Sequence, residues 1–98
     1  MHPNFQPAVY LMANRKNGAI YAGVTSDLPK RAWEHRNAVV EGFTKRYDCK
    51  QLVWYETHPD LDSARLKERR LKRWRRPWKL ELIEKMNPKW DDLFETLV

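Results

Sequence analysis

Apolar positions follow two different rhythms along this chain. Residues 8–13 and 19–24 are short apolar runs separated by Asn14-Arg15-Lys16-Asn17-Gly18. An Asn-Gly pair between such runs readily takes the positive φ angles of a turn, so the segment predicts a β-hairpin. Side chains alternate between faces of a strand, which groups Tyr10 with Ala8 and Met12, and Tyr21 with Gly23. A pairing that closes the turn symmetrically puts both tyrosine rings on one face. Residues 51–57, rich in β-branched and aromatic side chains, predict a third strand that ends at His58-Pro59-Asp60.

The other rhythm is helical. Ser26-Asp27 ahead of Pro29 supplies a side-chain cap and a proline where the first turn needs no donor, so a helix is expected over about 28–38. Leu28, Ala32 and Val39 share its apolar face, while Arg31 and His35, four residues apart, lie together on its edge. Further helices are expected over about 60–75 and 78–86, with Trp74 and Trp78 as core anchors. Asn87-Pro88 reads as a cap opening a short final helix whose Trp90, Leu93, Phe94 and Leu97 pack inward. The order β-β-α-β-α-α predicts an α+β domain with a small, mainly antiparallel three-stranded sheet flanked by helices. No repeat or low-complexity linker interrupts it, and residues 1–98 read as one domain.

Composition narrows the partners. Nineteen Lys and Arg against 13 Asp and Glu give a formal charge of +6, which favours a polyanion through phosphate neutralisation and counterion release. Cys49 is the single cysteine, so no internal disulfide forms and a reducing compartment is expected. The opening residues lack a basic start and an apolar h-region, and no stretch reaches the length of a membrane span. A soluble, cytoplasmic protein is the expectation. One Cys and three His make no zinc cluster, and three glycines make no nucleotide-binding loop.

Glu68 stands out within this basic background. It is the one acidic residue between Arg65 and Lys79, and on a helical wheel it falls between Leu61 and Ala64 and leads on to Leu71. It therefore points toward the body of the domain, where a carboxylate needs a partner. An ion pair with Lys72 or another cation is one answer, and a divalent metal is another. Tyr10 and Tyr21 are equally open to a packing role, Arg31 to that of a solvated cation, and His35 to that of a half-buried polar residue.

The ordered set changes the weighting. Val9-Tyr10-Leu11, then Tyr21-Ala22-Gly23-Val24-Thr25-Ser26-Asp27-Leu28, Arg31 and Trp33-Glu34-His35 resemble the GIY-YIG nuclease domain in its small free-standing form. Phe43-Thr44-Lys45-Arg46-Tyr47, Leu52-Val53-Trp54-Tyr55-Glu56, Glu68 with Leu71-Lys72-Arg73-Trp74, and Asn87-Pro88-Lys89-Trp90 with Asp92-Leu93 follow in the same order, so the likeness covers about residues 8–93. The resemblance implies the same α+β fold and a metal-dependent endonuclease acting on nucleic acid, with DNA the expected substrate and a setting in DNA repair or recombination; at this size no separate targeting domain is expected, so low sequence specificity is expected too. It implies Mg²⁺ or Mn²⁺ on Glu68, water handled by Tyr21 with Tyr10 as its partner, His35 in proton handling, Arg31 on the scissile phosphate and Asn87 at the edge of the site.

Two departures accompany the resemblance. The triplets read Ala8-Val9-Tyr10 and Tyr21-Ala22-Gly23, replacing the first glycine and the middle isoleucine while keeping both tyrosines and the second glycine. A lysine that some repair members carry soon after the second motif is replaced by Val24-Thr25, so that phosphate contact falls to Lys30, Lys45 or elsewhere. Lys72, Arg73 and Arg76 are further candidates to follow a phosphate backbone. The alternative from another class is a nucleic-acid-binding module with the same fold and no turnover. A third reading is a basic protein whose charge serves a protein partner.

Overall fold

Strand β1 (Ala8–Ala13) pairs antiparallel with strand β2 (Ile20–Thr25), Tyr10 lying opposite Gly23 and Met12 opposite Tyr21. Directly opposed residues share a face, so both tyrosine rings rise on one side of the sheet as the alternation predicts. The computed structural model describes residues 6–39 and 42–97. In the hairpin turn Asn17 takes the left-handed conformation, and Oδ1 of Asn14 accepts the Ala19 N–H at 2.9 Å. Strand β3 (Gln51–Thr57) joins the far edge of β1, giving the antiparallel order β2-β1-β3. Central strand β1 is buried along its whole length because both faces are covered. Its unbroken apolar run is the sequence signature of that position.

One face of the sheet gathers Val9, Leu11, Ala13, Ala22, Val53 and Trp54 under Leu71, Ile83 and Trp90. Leu71 comes from helix α3 (Leu61–Arg73) and Ile83 from helix α4 (Arg76–Met86). The other face carries Ala8, Tyr10, Met12 and Leu52 beneath Leu28 and Ala32 of helix α1 (Leu28–Arg36), with Leu93, Phe94 and Leu97 closing the end. Asp27 caps α1 by accepting the Lys30 N–H, and Asp60 caps α3 by accepting the Ser63 N–H. Among the described residues no helix is long and apolar enough to cross a membrane.

Several sequence expectations are corrected. Helix α1 stops at Arg36, so Val39 is not on its apolar face but 55% exposed. A one-turn helix α2 (Phe43–Arg46) lies between α1 and β3; four residues are too few to show a period. Trp78 is no core anchor, standing 58% exposed edge-on to Trp74.

Asn87 opens no helix: it closes α4, its N–H reaching Ile83 O. The chain then turns, buries Trp90 with a left-handed backbone, and ends in a 3₁₀ helix at Leu93–Leu97. An Asn-Pro pair suits a turn as well as a helix start. The pairing of β1 with β3 also shifts register between Leu11 and Met12, setting Val53 apart as a bulge. Nδ2 of Asn87 donates to Val53 O at 3.1 Å and to Asp91 O at 2.7 Å, while Oδ1 accepts the Asp91 N–H. The amide thus satisfies a buried carbonyl at the irregular point of the ladder.

Candidate active site

The centre of the site is a buried hydrogen-bonded pair. Tyr10 on β1 is 1% exposed, and its hydroxyl lies 2.8 Å from Nε2 of His35, in the last turn of α1. The ring of Tyr10 lies across β2 at Gly23, where an added Cβ would collide with the hydroxyl oxygen and the ring. Only glycine leaves that space, which is the physical reason for a glycine at the end of Tyr21-Ala22-Gly23. The Tyr21 ring stands 6.4 Å from that of Tyr10 and 5.6 Å from the imidazole, centroid to centroid, and is partly exposed. Phe43 of α2 stacks on Tyr21 at 6.1 Å and fixes its outer side.

The same one-turn helix supplies a third polar group. Nδ1 of His35 lies 3.0 Å from Oγ1 of Thr44, which is the buried residue of α2. Gly42 leads into α2 with φ 103 and ψ −142, a backbone conformation that L side chains rarely adopt. Cys49 fastens the far end through its N–H to Thr44 O at 2.8 Å. The segment Gly42–Cys49 therefore holds one hydroxyl against one ring nitrogen.

Charge converges on the same point. Burial pushes the Tyr10 phenol well above its ordinary value; Tyr21, Glu68 and Glu34 add to the rise and Arg31 opposes it. Tyr10 is consequently a neutral phenol at physiological pH. His35 is pushed down to about 4, first by burial and then by the positive charge of Arg31, so its imidazole is neutral too. Arg31 and Glu34 of α1 and Glu68 of α3 thus act electrostatically on the Tyr10 hydroxyl. Arg31 is held by Glu34 at 3.3 Å. Glu68, its side chain 16% exposed, faces inward as the helical wheel predicts and accepts an ion pair from Lys72 at 3.3 Å. The cation partner considered from sequence is therefore present, on a carboxylate whose charge also reaches Tyr10.

The other candidates divide. Lys30, Lys45, Lys72 and Arg73 are exposed on α1, α2 and α3, where a polyanion can meet them. Arg76 is engaged elsewhere, donating to the carbonyls of Asn17 and Gly18 at 2.7 Å each and clasping the hairpin turn. Asn87 is bonded to Val53 and Asp91, and none of these partners belongs to the tyrosine cluster. Sequence reasoning passed over Thr44 and Phe43, although the quoted run Phe43–Tyr47 contains both. It also kept Gly23 without assigning it a task. The missing signal was a close approach across two strands, which only the register reveals.

A divalent ion fits this donor set in one way. Among the described residues no group of three or more His, Cys, Asp or Glu side chains is placed to hold a metal. Glu68 can serve as the single protein carboxylate, with water and substrate phosphate completing the shell, an arrangement that Mg²⁺ commonly takes.

Comparison with known proteins identifies a family. Residues 6–81 match the GIY-YIG catalytic domain. The chain is 34% identical over 76 residues to a UPF0213 protein of Xanthomonas axonopodis pv. citri, covering 78% of this chain and 74% of that one. It is also 34% identical over 68 residues to a UPF0213 protein of Staphylococcus saprophyticus, covering 69% of this chain and 83% of the relative. No solved structure matches at the same level of significance.

Proposed function

The chain belongs to the GIY-YIG family of catalytic domains, and on that premise we propose that it is a divalent-metal-dependent endonuclease hydrolysing phosphodiester bonds in nucleic acid, DNA foremost, with low sequence specificity. The observation that carries this reading is the buried 2.8 Å contact between Tyr10 and His35, with Tyr21 beside it. The partly exposed Tyr21 faces the attacking water, and Tyr10 orients it from the protein side. Neutral His35 takes up or returns the proton that the pair exchanges. Arg31 exchanges Glu34 for the scissile phosphate, where a planar guanidinium can bind two oxygens and stabilise developing charge. Glu68 would hold Mg²⁺ or Mn²⁺, which supplies charge neutralisation at the phosphate. Lys30, Lys45, Lys72 and Arg73 would neutralise neighbouring phosphates. The cytoplasm suits the lone, buried Cys49, whose thiol is pushed up to about 11 by burial and by Asp48.

Cleavage of single-stranded, duplex, flapped and branched DNA and RNA, with Mg²⁺, Mn²⁺ or chelator, tests the reading on wild type beside Glu68→Ala. We expect metal-dependent cuts that the variant loses by at least about a hundredfold. The ion pairs that engage Arg31 and Glu68 also favour a second reading, a binding module without turnover. Salt-dependent binding with no cleavage of any substrate in the panel would establish that module in place of the nuclease.

A further inference from the structure

Thr44 closes a buried chain of three polar groups whose proton order follows from elementary acidity. The chain runs from the Tyr10 hydroxyl to Nε2 of His35, 2.8 Å apart, and from Nδ1 to the Thr44 hydroxyl, 3.0 Å apart. All three residues are buried: Tyr10 is 1%, His35 2% and Thr44 4% exposed. A neutral imidazole donates through one nitrogen and accepts through the other, so both contacts can be satisfied in only two ways. In the first, Tyr10 donates to Nε2 and Nδ1–H donates to Thr44. In the second, Thr44 donates to Nδ1 and Nε2–H donates to Tyr10. A phenol is intrinsically the stronger acid of the two hydroxyls and an alcohol the better acceptor, and burial weakens the acidity of both, so the intrinsic order selects the first.

We propose that Thr44 is the positioning residue of the site: it accepts the Nδ1–H of His35 and thereby holds the imidazole in the tautomer whose Nε2 accepts the Tyr10 proton. This assignment rests on the nuclease reading for its catalytic consequence but not for its geometry. With its proton directed at Nε2, the oxygen of Tyr10 keeps its lone pairs free to accept a proton from another donor. A proton given up by the attacking water to that oxygen is matched by departure of the phenolic proton to Nε2: the water O–H and the original Tyr10 O–H break, a new Tyr10 O–H and an Nε2–H form, the attacking oxygen is left as hydroxide and the imidazole gains the positive charge. A carboxylate in place of Thr44 would make the imidazole a much stronger base. A neutral hydroxyl orients the ring and leaves it uncharged between turnovers, as the depressed pKa of His35 also requires.

The architecture of α2 is consistent with this task. Gly42 enters it in a conformation that other residues rarely take, and Cys49 N–H binds the carbonyl of Thr44 itself. The groups around the imidazole are Tyr10 from β1, Tyr21 from β2, Arg31 from α1 and Thr44 from α2, with Glu34 of α1 and Glu68 of α3 acting through Tyr10.

Long-range ¹H–¹⁵N spectra of ring-labelled histidine at neutral pH test the assignment, because they distinguish the two tautomers without reference to activity. The His35 signals are identified by their loss in His35→Gln. Wild type should show a protonated Nδ1 and a bare Nε2; Thr44→Val, which keeps the shape and removes the acceptor, should shift the ring toward Nε2–H; Thr44→Ser should restore it. On a cleaved substrate, Thr44→Val should lower kcat about tenfold or more with KM nearly unchanged, and Thr44→Ser should recover most of the loss. A wild-type ring protonated at Nε2, or a Thr44→Val ring with the wild-type tautomer, would overturn the proposal. Absence of cleavage by wild type would instead overturn the nuclease reading, while the spectra still decide the role of Thr44.

Discussion

The two faces of the sheet are made from the same three strands, yet only one threads a chain of buried polar side chains through its apolar layer. Beneath α3 and α4 the side chains of Val9, Leu11, Ala22, Trp54, Leu71 and Ile83 form an apolar layer. Beneath α1 and α2 the layer mixes Met12, Leu28 and Leu52 with a phenol, an imidazole and a hydroxyl joined in series. An apolar layer tolerates rearrangement provided volume is conserved, whereas a buried polar chain requires every distance to hold. The comparison therefore separates a face that supplies stability from a face that supplies geometry.

The largest expected effect comes from damaging the first. Leu71→Ala should cost about 2–5 kcal/mol through lost burial and an unfilled cavity, read as a lower denaturant midpoint. Activity per folded molecule should stay near wild type. A proportionate loss of specific activity would show that the faces are not separable.

The next effect strikes the second face. In Gly23→Ala the new methyl collides with the hydroxyl and ring of Tyr10. Stability should fall by about 1–3 kcal/mol as the ring is displaced. Cleavage should fall by about a hundredfold, because a shift on the order of 1 Å is enough to misplace a reacting group. This is the inverse of the Leu71 result, with more activity lost for less stability.

The smallest effect is a proton linkage. His35 ordinarily takes up a proton near pH 6.5, but in the folded protein it holds out to about 4. The unfolded chain thus binds more protons in this window, and stability, full above pH 6.5, declines as pH falls toward 4. Between pH 7.5 and 5.5 the loss should be about 1 kcal/mol, and His35→Gln should remove it while the other two histidines remain. An identical decline in the variant would mean that the imidazole is not kept neutral by its surroundings.

The sequence made the three strands legible, since turn residues bracket each apolar run and alternation assigns Tyr10 and Tyr21 to one face. It also made the inward aim of Glu68 legible, because one acidic residue on the apolar side of a basic helix has few destinations. Less could be read where a residue type serves two geometries. Asn87-Pro88 suits a cap or a turn, and tertiary contacts with Val53 selected the turn. Arg76 looked like one cation among many, but its carbonyl partners lie on the hairpin. Trp78 was expected inside by its type alone. Thr44 lay in a segment too short to carry a period, so nothing in the spacing joined it to His35.

The bulge at Val53 gives the molecule a direction in time. During synthesis β1, β2 and β3 emerge before the groups that complete the irregular ladder: Nδ2 of Asn87 reaches Val53 O across 34 positions, and the carboxylate of Asp92 accepts the Leu52 N–H across 40. Tyr10, Tyr21, Arg31, His35, Thr44 and Glu68 are all translated by the end of α3. A nascent chain paused there would contain the complete candidate constellation and lack the residues that satisfy its third strand. The irregular ladder is consequently complete only once the segment carrying Asn87 and Asp92 has docked on β3.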